Sequence, residues 1–370
     1  MSTDEPRTSS GRNQPHQIFI LTAPIGGGHS SAAEAVAEMV NSLGRAATVV
    51  SPLKEAGWLS RLPTVYHNLS TQHPIVWAAY YYARRTRLMR SINRSVVRRR
   101  LIPALDVLKL DRGDTVVLTH SIFCHCIPEL RQRQLTVIVL VTDLFGGPLE
   151  WFQPGANRYI VPTEEMWRNA IVSGISPSRI ALRRLPVLKS GHAPQPRLSH
   201  QPPHPRILLV GGSEGAGPVT KITNAMMALT NQFALTVACG RNQHLKDELV
   251  LIGDSRLQVE GYIEKLKVHI HSYNLVISKP GSVTLMELLD ARIQFFLMPG
   301  IAGIERANTR KVTAYLGVPV LRRRRDIKRM LAIFLAGGAA SRDLRSRIMD
   351  GIDRLTAELP SQMVGRDDLE

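Results

Sequence analysis

Acidic residues are in short supply in this chain, 30 Asp and Glu against 47 Lys and Arg, which leaves a formal charge of +17. That imbalance points to a polyanionic partner, either nucleic acid or an anionic lipid surface. Cysteine is scarcer still. Cys124, Cys126 and Cys239 form no disulfide framework and suggest a reducing, cytoplasmic setting. Cys124-His125-Cys126 has no second ligand pair at zinc-like spacing, so no metal site is expected. No apolar run approaches the roughly 20 residues that span a bilayer, and residues 1–16 lack the apolar core of a signal peptide. The expectation is a protein that is soluble or lies on a membrane surface. Two nucleotide signatures are missing as well: no Gly-Lys-Ser/Thr closes a phosphate loop, and no complete dinucleotide fingerprint occurs.

Glycine-rich turns are what the chain does have. Ile18 to Ile25 is an apolar, β-rich run ending in Gly26, Gly27, Gly28 and His29, after which a helical pattern begins. Ser30 and Ser31 read as its caps. Such a turn brings backbone N–H groups and the positive end of a helix dipole to a ligand at the carboxyl end of a strand. Arg206 to Pro218 repeats the arrangement, with Gly211, Gly212, Ser213, Gly215 and Gly217 between a strand and a helix. At 370 residues and 44% hydrophobic content the chain suits two globular domains. Strand patterns fall at 17–22, 46–50, 115–119, 136–141 and 158–161, then at 206–211, 234–238, 257–260, 274–278 and 293–298. Strand–helix alternation in both halves predicts an α/β protein of two doubly wound parallel sheets. The expected division is a disordered tail at 1–16, a first domain at 17–187, a proline-rich linker at 188–205 and a second domain at 206–345. A terminal helical segment, 346–370, crosses back toward the first domain.

Residues 58–102 stand apart. Trp58, Tyr66, Trp77, Tyr80, Tyr81 and Tyr82 precede a cluster of arginines (Arg84, Arg85, Arg87, Arg90, Arg94, Arg98, Arg99, Arg100) that contains no acidic residue. Aromatic and basic residues beside leucine and isoleucine suit a helix in the lipid headgroup region, aromatics at the boundary and arginines outward. A solvated basic face is the plain alternative. Nucleic acid is the rival partner, but no nucleic-acid-binding module surrounds the segment and none is expected to bind.

The densest chemistry lies at 257–308. Ser278-Lys279-Pro280-Gly281-Ser282-Val283-Thr284-Leu285-Met286-Glu287 follows a buried strand and opens a helix. It offers N–H groups and hydroxyls to a phosphate, with Glu287 placed to grip a ribose diol. Pro299 to Asn308 adds Glu305 and Asn308 beside a further loop, suited to sugar hydroxyls. These three motifs in this order, with Val141-Thr142-Asp143, Val237 to Asn242, Glu260 to Ile263 and Ile304 to Asn308, resemble the glycosyltransferases that make monogalactosyl- and glucosyl-diacylglycerol. Those are relatives of the peptidoglycan N-acetylglucosaminyltransferase. The match runs from about residue 18 to 320.

The resemblance implies a GT-B fold, two Rossmann-like domains facing across a cleft. It implies an inverting hexosyltransferase that takes UDP-glucose or UDP-galactose as donor and a diacylglycerol-type lipid as acceptor, on the cytoplasmic face of an anionic membrane. No metal or other cofactor is expected. His29 would be the general base, with Asp143 beside it; an imidazole pKa near 6.5 suits that task. Gly212, Ser213 and Gly215, in the loop from Gly211 to Gly217, and Gly281, Ser282 and Thr284 would border the donor diphosphate, and Gly240, Arg241, Ser278 and Lys279 would also bind the donor. Tyr262 and Ile263 would line the uracil, Glu287 the ribose, and Glu305 with Asn308 the sugar. Gly27, Gly28 and His120 would lie on the acceptor side, with Trp77, Arg84, Arg85, Arg98 and Arg99 on the membrane. The chain departs from the family at Gly147, where a histidine commonly lies nearby, and at Ile304, where a glutamine commonly precedes the glutamate. These departures raise two alternatives, another lipid-linked acceptor or an inactive UDP-sugar-binding membrane protein. Read residue by residue, His29 could also be a surface cap, Glu287 a solvated helix residue, Asp143 a turn cap and His120 a satisfied loop histidine.

Overall fold

The computed structural model describes residues 16–71, 73–83, 86–188, 204–263, 266–362 and 364–368. The expected tail at 1–16 and linker at 188–205 lie almost wholly outside those residues, as do Arg84 and Arg85. The first half runs β1 (Ile18–Leu21), α1 (Gly28–Ser42), β2 (Ala47–Val50), α2 (Leu62–Thr71), α3 (Pro74–Ala83), α4 (Arg87–Asp106), β3 (Thr115–Leu118), α5 (Ile127–Gln132), β4 (Thr136–Leu140), β5 (Arg158–Val161), α6 (Glu164–Val172) and β6 (Ile180–Leu182). The second half runs β7 (Arg206–Val210), α7 (Val219–Met227), β8 (Ala234–Ala238), α8 (Gln243–Val250), β9 (Leu257–Glu260), α9 (Leu266–Ile270), β10 (Leu275–Ser278), α10 (Ser282–Asp290), β11 (Phe295–Leu297), α11 (Ile304–Leu316), α12 (Arg324–Ala336) and α13 (Ala339–Glu358).

Each half is one parallel sheet, six-stranded in the order β2-β1-β3-β4-β5-β6 and five-stranded in the order β11-β10-β7-β8-β9. Strands covered on both faces need continuous apolar runs rather than alternation, and β4 (Thr-Val-Ile-Val-Leu) and β10 (Leu-Val-Ile-Ser) supply them. β1 aligns Ile18 with Thr115 of β3 and with Ala47 of β2. In both sheets the strand order reverses beside the first strand of the half, between β1 and β3 and between β7 and β10. Loops leaving the carboxyl ends of strands on either side of such a reversal part and leave a crevice.

α1 is wedged between the halves. Ala33, Val36 and Val40 pack on Ile18, Ile20 and Val117 of the first sheet, whereas Ala32 joins the core of the second half with Leu144, Phe145 and Val283. Adjacent alanines, Ala32 and Ala33, point to neighbouring faces of the helix and let it approach both cores. The start of α1 differs from the sequence expectation. Ser30 and Ser31 lie inside the helix, and the N-cap is Gly27, at φ 68° with no side-chain cap.

The terminal segment also differs. α13 packs Leu344, Ile348, Ile352 and Leu355 into the second core, so the second domain extends past residue 345. Each such side chain contributes about 1.5–3 kcal/mol when fully buried. The crossing back is made by the chain after α13. The Gln362 carbonyl accepts from Arg184 N at 2.8 Å, and Val364 enters the first core. Asp368 is buried between Arg158 and Arg183, at 3.3 and 2.8 Å.

Candidate active site

The two reversal points face one another and enclose a cleft of about 480 Å³. From the first half come the β1–α1 turn, Tyr66, Trp77, Tyr81, Thr142 and Asp143. Val210, Gly212, Ser213, Glu214, Ala216, Gly240, Arg241, Tyr262, Ile263, Ser278, Lys279, 281–284, Glu287, Ile301, Ala302, Ile304 and Glu305 supply the opposite wall. The glycine turns meet directly. A Cβ on Gly27 would lie 2.6 Å from the Ser213 side chain, and one on Gly28 would touch Val283 at 3.5 Å.

His29, in the first turn of α1, is held by Nδ1. It lies 2.9 Å from the Thr119 carbonyl, which can only accept, so Nδ1 carries the proton. Thr142 Oγ1 lies 2.7 Å from the same nitrogen. The basic lone pair is therefore on Nε2. Burial lowers the imidazole pKa to about 4, against a smaller upward pull from the Thr119 carbonyl, so the ring is neutral at pH 7. The ordinary value near 6.5 expected from the sequence does not survive this desolvation. His120 packs edge-on against His29 with ring centroids 4.3 Å apart. Its Nδ1 accepts from Ile122 N at 3.0 Å, capping a short 3-10 turn. His120 thus packs against the His29 ring and does not itself line the cleft.

Asp143 is buried, and Oδ2 accepts from the indole N–H of Trp151 at 2.6 Å. That bond helps to fix the carboxylate in place. At Gly147 a Cβ would sit 2.8 Å from the same oxygen, so the departure at that position makes room for the carboxylate.

On the other wall, the two loops of the second half interlock through glycine. Gly215 (φ 57°) has the Cys239 carbonyl 2.1 Å from where a Cβ would be, and Gly240 (φ 61°) has the Ser213 carbonyl at 2.4 Å. Arg241 N donates to that carbonyl at 2.8 Å, its side chain pairs with Glu214 at 3.2 Å, and its guanidinium lies 4.9 Å over the half-exposed Tyr262 ring. α10 opens without a side-chain cap at Gly281, which leaves its first N–H groups directed at the cleft beside Ser282 and Thr284. Ser278 is buried beneath this floor with its hydroxyl donated to the Lys279 carbonyl. Glu287 is only 6% exposed and lines the cleft, so it is no solvated helix residue. Lys279 Nζ lies 3.4 Å from Glu305 Oε1, and Glu305 Oε2 accepts from Ile301 N at 2.8 Å.

Three expected residues sit elsewhere. Asn308 is fully buried and does not face the cleft. Its carboxamide donates to Pro280 O at 2.8 Å and accepts from Phe145 N at 3.3 Å, while Ser282 Oγ accepts from Leu144 N at 3.2 Å. Asn308 and Ser282 thereby tie the loop after Asp143 to the second half. Trp77 turns inward, its indole N–H donating to Ala302 O across the cleft at 3.2 Å and its ring packed on Tyr66. Arg98 pairs with Glu129 of α5 and is not directed at a membrane, whereas Arg99 is exposed. Sequence reasoning gave Tyr66 and Tyr81 no cleft role, and Thr119 went unnoticed. The donor-half loop against Tyr81 and the imidazole of His29 beside Thr119 lie far along the chain, and no local pattern announces them.

Residues 29–187 match the model of monogalactosyldiacylglycerol (MGDG) synthase, and residues 206–305 match that of the glycosyltransferase family 28 C-terminal domain. Among curated proteins, a probable chloroplastic monogalactosyldiacylglycerol synthase of Nicotiana tabacum is 27% identical over 80% of this chain and 60% of its own length. The chloroplastic enzyme of Spinacia oleracea is 29% identical over 80% of this chain and 61% of its own. The chain thus spans about three fifths of the length of these relatives. Among solved structures, MurG of Acinetobacter baumannii aligns with a TM-score of 0.56 at 15% identity, covering 92% of this chain and 95% of that one. The spinosyn rhamnosyltransferase SpnG aligns at 0.61 and 13%, covering 92% and 96%. The fold is therefore GT-B, and its two halves are similar in turn to monogalactosyldiacylglycerol synthase and to the glycosyltransferase family 28 C-terminal domain.

Proposed function

We propose that this protein is an inverting glycosyltransferase that moves a hexose from a UDP-sugar to a hydroxyl of a diacylglycerol-type lipid. The observation that carries the reading is His29, its Nδ1 proton fixed on Thr119 O and its Nε2 lone pair free at the junction with the donor half's glycine loops. In the transfer, Nε2 takes the proton of the lipid hydroxyl as that oxygen bonds to the anomeric carbon from the face opposite the diphosphate. The bond from the anomeric carbon to the diphosphate oxygen breaks, and UDP departs with the electron pair. The uncapped start of α10, the 211–217 loop and Lys279 meet the developing negative charge. Tyr262 and Ile263 would flank the uracil, Glu287 would take the ribose hydroxyls and Glu305 a sugar hydroxyl. The reading assigns the charge stabilisation to protein groups, so a chelator should leave the rate unchanged.

The first test is transfer of labelled hexose from UDP-glucose and UDP-galactose to diacylglycerol in anionic vesicles, with and without EDTA. A labelled glycolipid identifies the donor. UDP binding without product would move the reading to a different acceptor or a silent binder, and neither product nor binding would sink it.

For the lipid surface, support comes from α3 and α4. Among the described residues no helix is long and apolar enough to cross a membrane. Ile75 is 84% exposed and Leu88 71%, with Val76, Ile92 and Val96 also outward and Arg99 and Arg100 beside them. Apolar side chains dip into the headgroup boundary, and each arginine near an anionic leaflet adds about 1 kcal/mol. The combined variant Ile75→Ser, Leu88→Ser, Arg99→Gln should lose binding to anionic vesicles by on the order of a hundredfold. Sedimentation with vesicles measures this, and unchanged binding would place the docking face elsewhere.

A further inference from the structure

Trp77 and Tyr81 lie in the acceptor half, yet each is fixed on one loop of the donor half. The Trp77 indole N–H donates to Ala302 O at 3.2 Å. Tyr81, only 9% exposed, packs against Gly303, which has φ 105° and where a Cβ would come within 2.6 Å of the phenol ring. Neither a side chain nor an ordinary backbone conformation fits at that glycine while the ring is there. The far side of the same loop is held by Glu305, which accepts from Ile301 N and pairs with Lys279. The short stretch 301–303 is thus gripped between α3 and the carboxylate that faces the cleft. Tyr66 completes the grip, its ring packed edge-on against Trp77 with centroids 5.0 Å apart. Burial and the negative charge of Glu305, Asp143 and Glu214 keep its phenol protonated at every physiological pH. It stands in the cleft as a neutral hydroxyl among carboxylates, able both to donate and to accept.

We infer that α3 is a cross-domain clamp through which Trp77 and Tyr81, acting as positioning residues, hold the 301–303 loop and Glu305 against the hexose of the donor. The inference rests on the UDP-sugar reading given above and goes beyond it, because it makes the acceptor half set the affinity for the hexose. The uracil, ribose and diphosphate contacts all belong to the second half and do not involve α3. Loosening the clamp should therefore weaken the hexose contribution and leave the nucleotide contribution alone.

Calorimetric titration with UDP and with the UDP-hexose of higher affinity, on the intact chain, tests this. Trp77→Phe keeps an aromatic ring but removes the indole N–H and part of its packing, and the lost hydrogen bond should weaken UDP-hexose binding about fivefold relative to UDP. Tyr81→Ala removes the ring from Gly303 and should weaken it more, with UDP affinity within about twofold of the original. Parallel loss for UDP and UDP-hexose would mean that α3 merely supports the cleft, and would overturn the clamp. Unchanged affinity for both ligands in both variants would overturn it too. If the unaltered chain binds neither ligand, the donor reading fails first and the clamp fails with it, which separates the two failures before any variant is made.

Discussion

His29→Ala should abolish hexose transfer while leaving UDP affinity nearly intact. A positioned general base contributes about 10² to 10⁴ in rate, and here the geometry offers one nitrogen for the task, because Nδ1 is committed to the Thr119 carbonyl. The variant should therefore lose turnover by roughly a thousandfold, with a titration of UDP superimposable on that of the parent. Full turnover in the variant would remove His29 from the role. The same residue fixes a pH dependence. Its pKa is lowered to about 4, so protonation of the base, and with it the acidic limb of kcat/KM for the free enzyme, should fall near pH 4 rather than near 6.5. Stability follows the same sign. Above pH 6.5 neither state carries the proton; as pH falls from 6.5 toward 4 the unfolded chain takes it up and the folded chain does not, so this contribution to stability is lost over that window. An acidic limb at 6.5 would show that the ring is solvated in the working enzyme.

Glu287→Ala should be the most damaging single change to donor binding. A buried carboxylate that accepts from two ribose hydroxyls makes charge-assisted bonds worth about 1.5–3 kcal/mol each, so UDP affinity should fall by on the order of a hundredfold or more. The discriminating measurement compares UDP with 2′-deoxy-UDP. The parent should strongly prefer UDP, and Glu287→Ala should bind the two alike. A variant that keeps the preference would exclude Glu287 from the ribose, whatever its overall affinity. Retention of the fold is checked by thermal unfolding, since Glu287 lies in the second turn of α10 with its side chain in the cleft wall.

Much of the fold was legible because its signals are local. Among the described residues, ten of the eleven strands fall within the ranges read from the sequence, most of them as buried apolar runs, and the two glycine loops could be placed on strand ends from spacing alone. The strand that was missed, β6, is three residues long, flanked by Arg179 and Arg183, and paired on one side to β5. An edge strand of that length carries no periodicity to detect. Among the donor-side residues, the glycines were the most reliable guides, because Gly215 and Gly240 are required by a carbonyl packed where a side chain would be.

What the sequence by itself determined is the order of strands, helices and glycine turns, and hence two parallel sheets whose first strands each open onto the cleft. Backbone conformation and burial periodicity are written over a few residues, so they can be read there. Which way a side chain turns is decided by partners that folding brings from far along the chain. Asn308 looked like a sugar ligand until the Phe145 amide, 163 residues away, was found to occupy it. Trp77 carried the composition of a membrane anchor, and only the Ala302 carbonyl, 225 residues on, turned it inward. Arg98 belonged to a basic run until Glu129 neutralised it. His29 was named from its glycine context, but its tautomer and its lowered pKa come from Thr119 and from the closing of two domains over it. A polar group in a low-dielectric interior must find its partner wherever the chain supplies one, and that partner is a property of the tertiary structure alone.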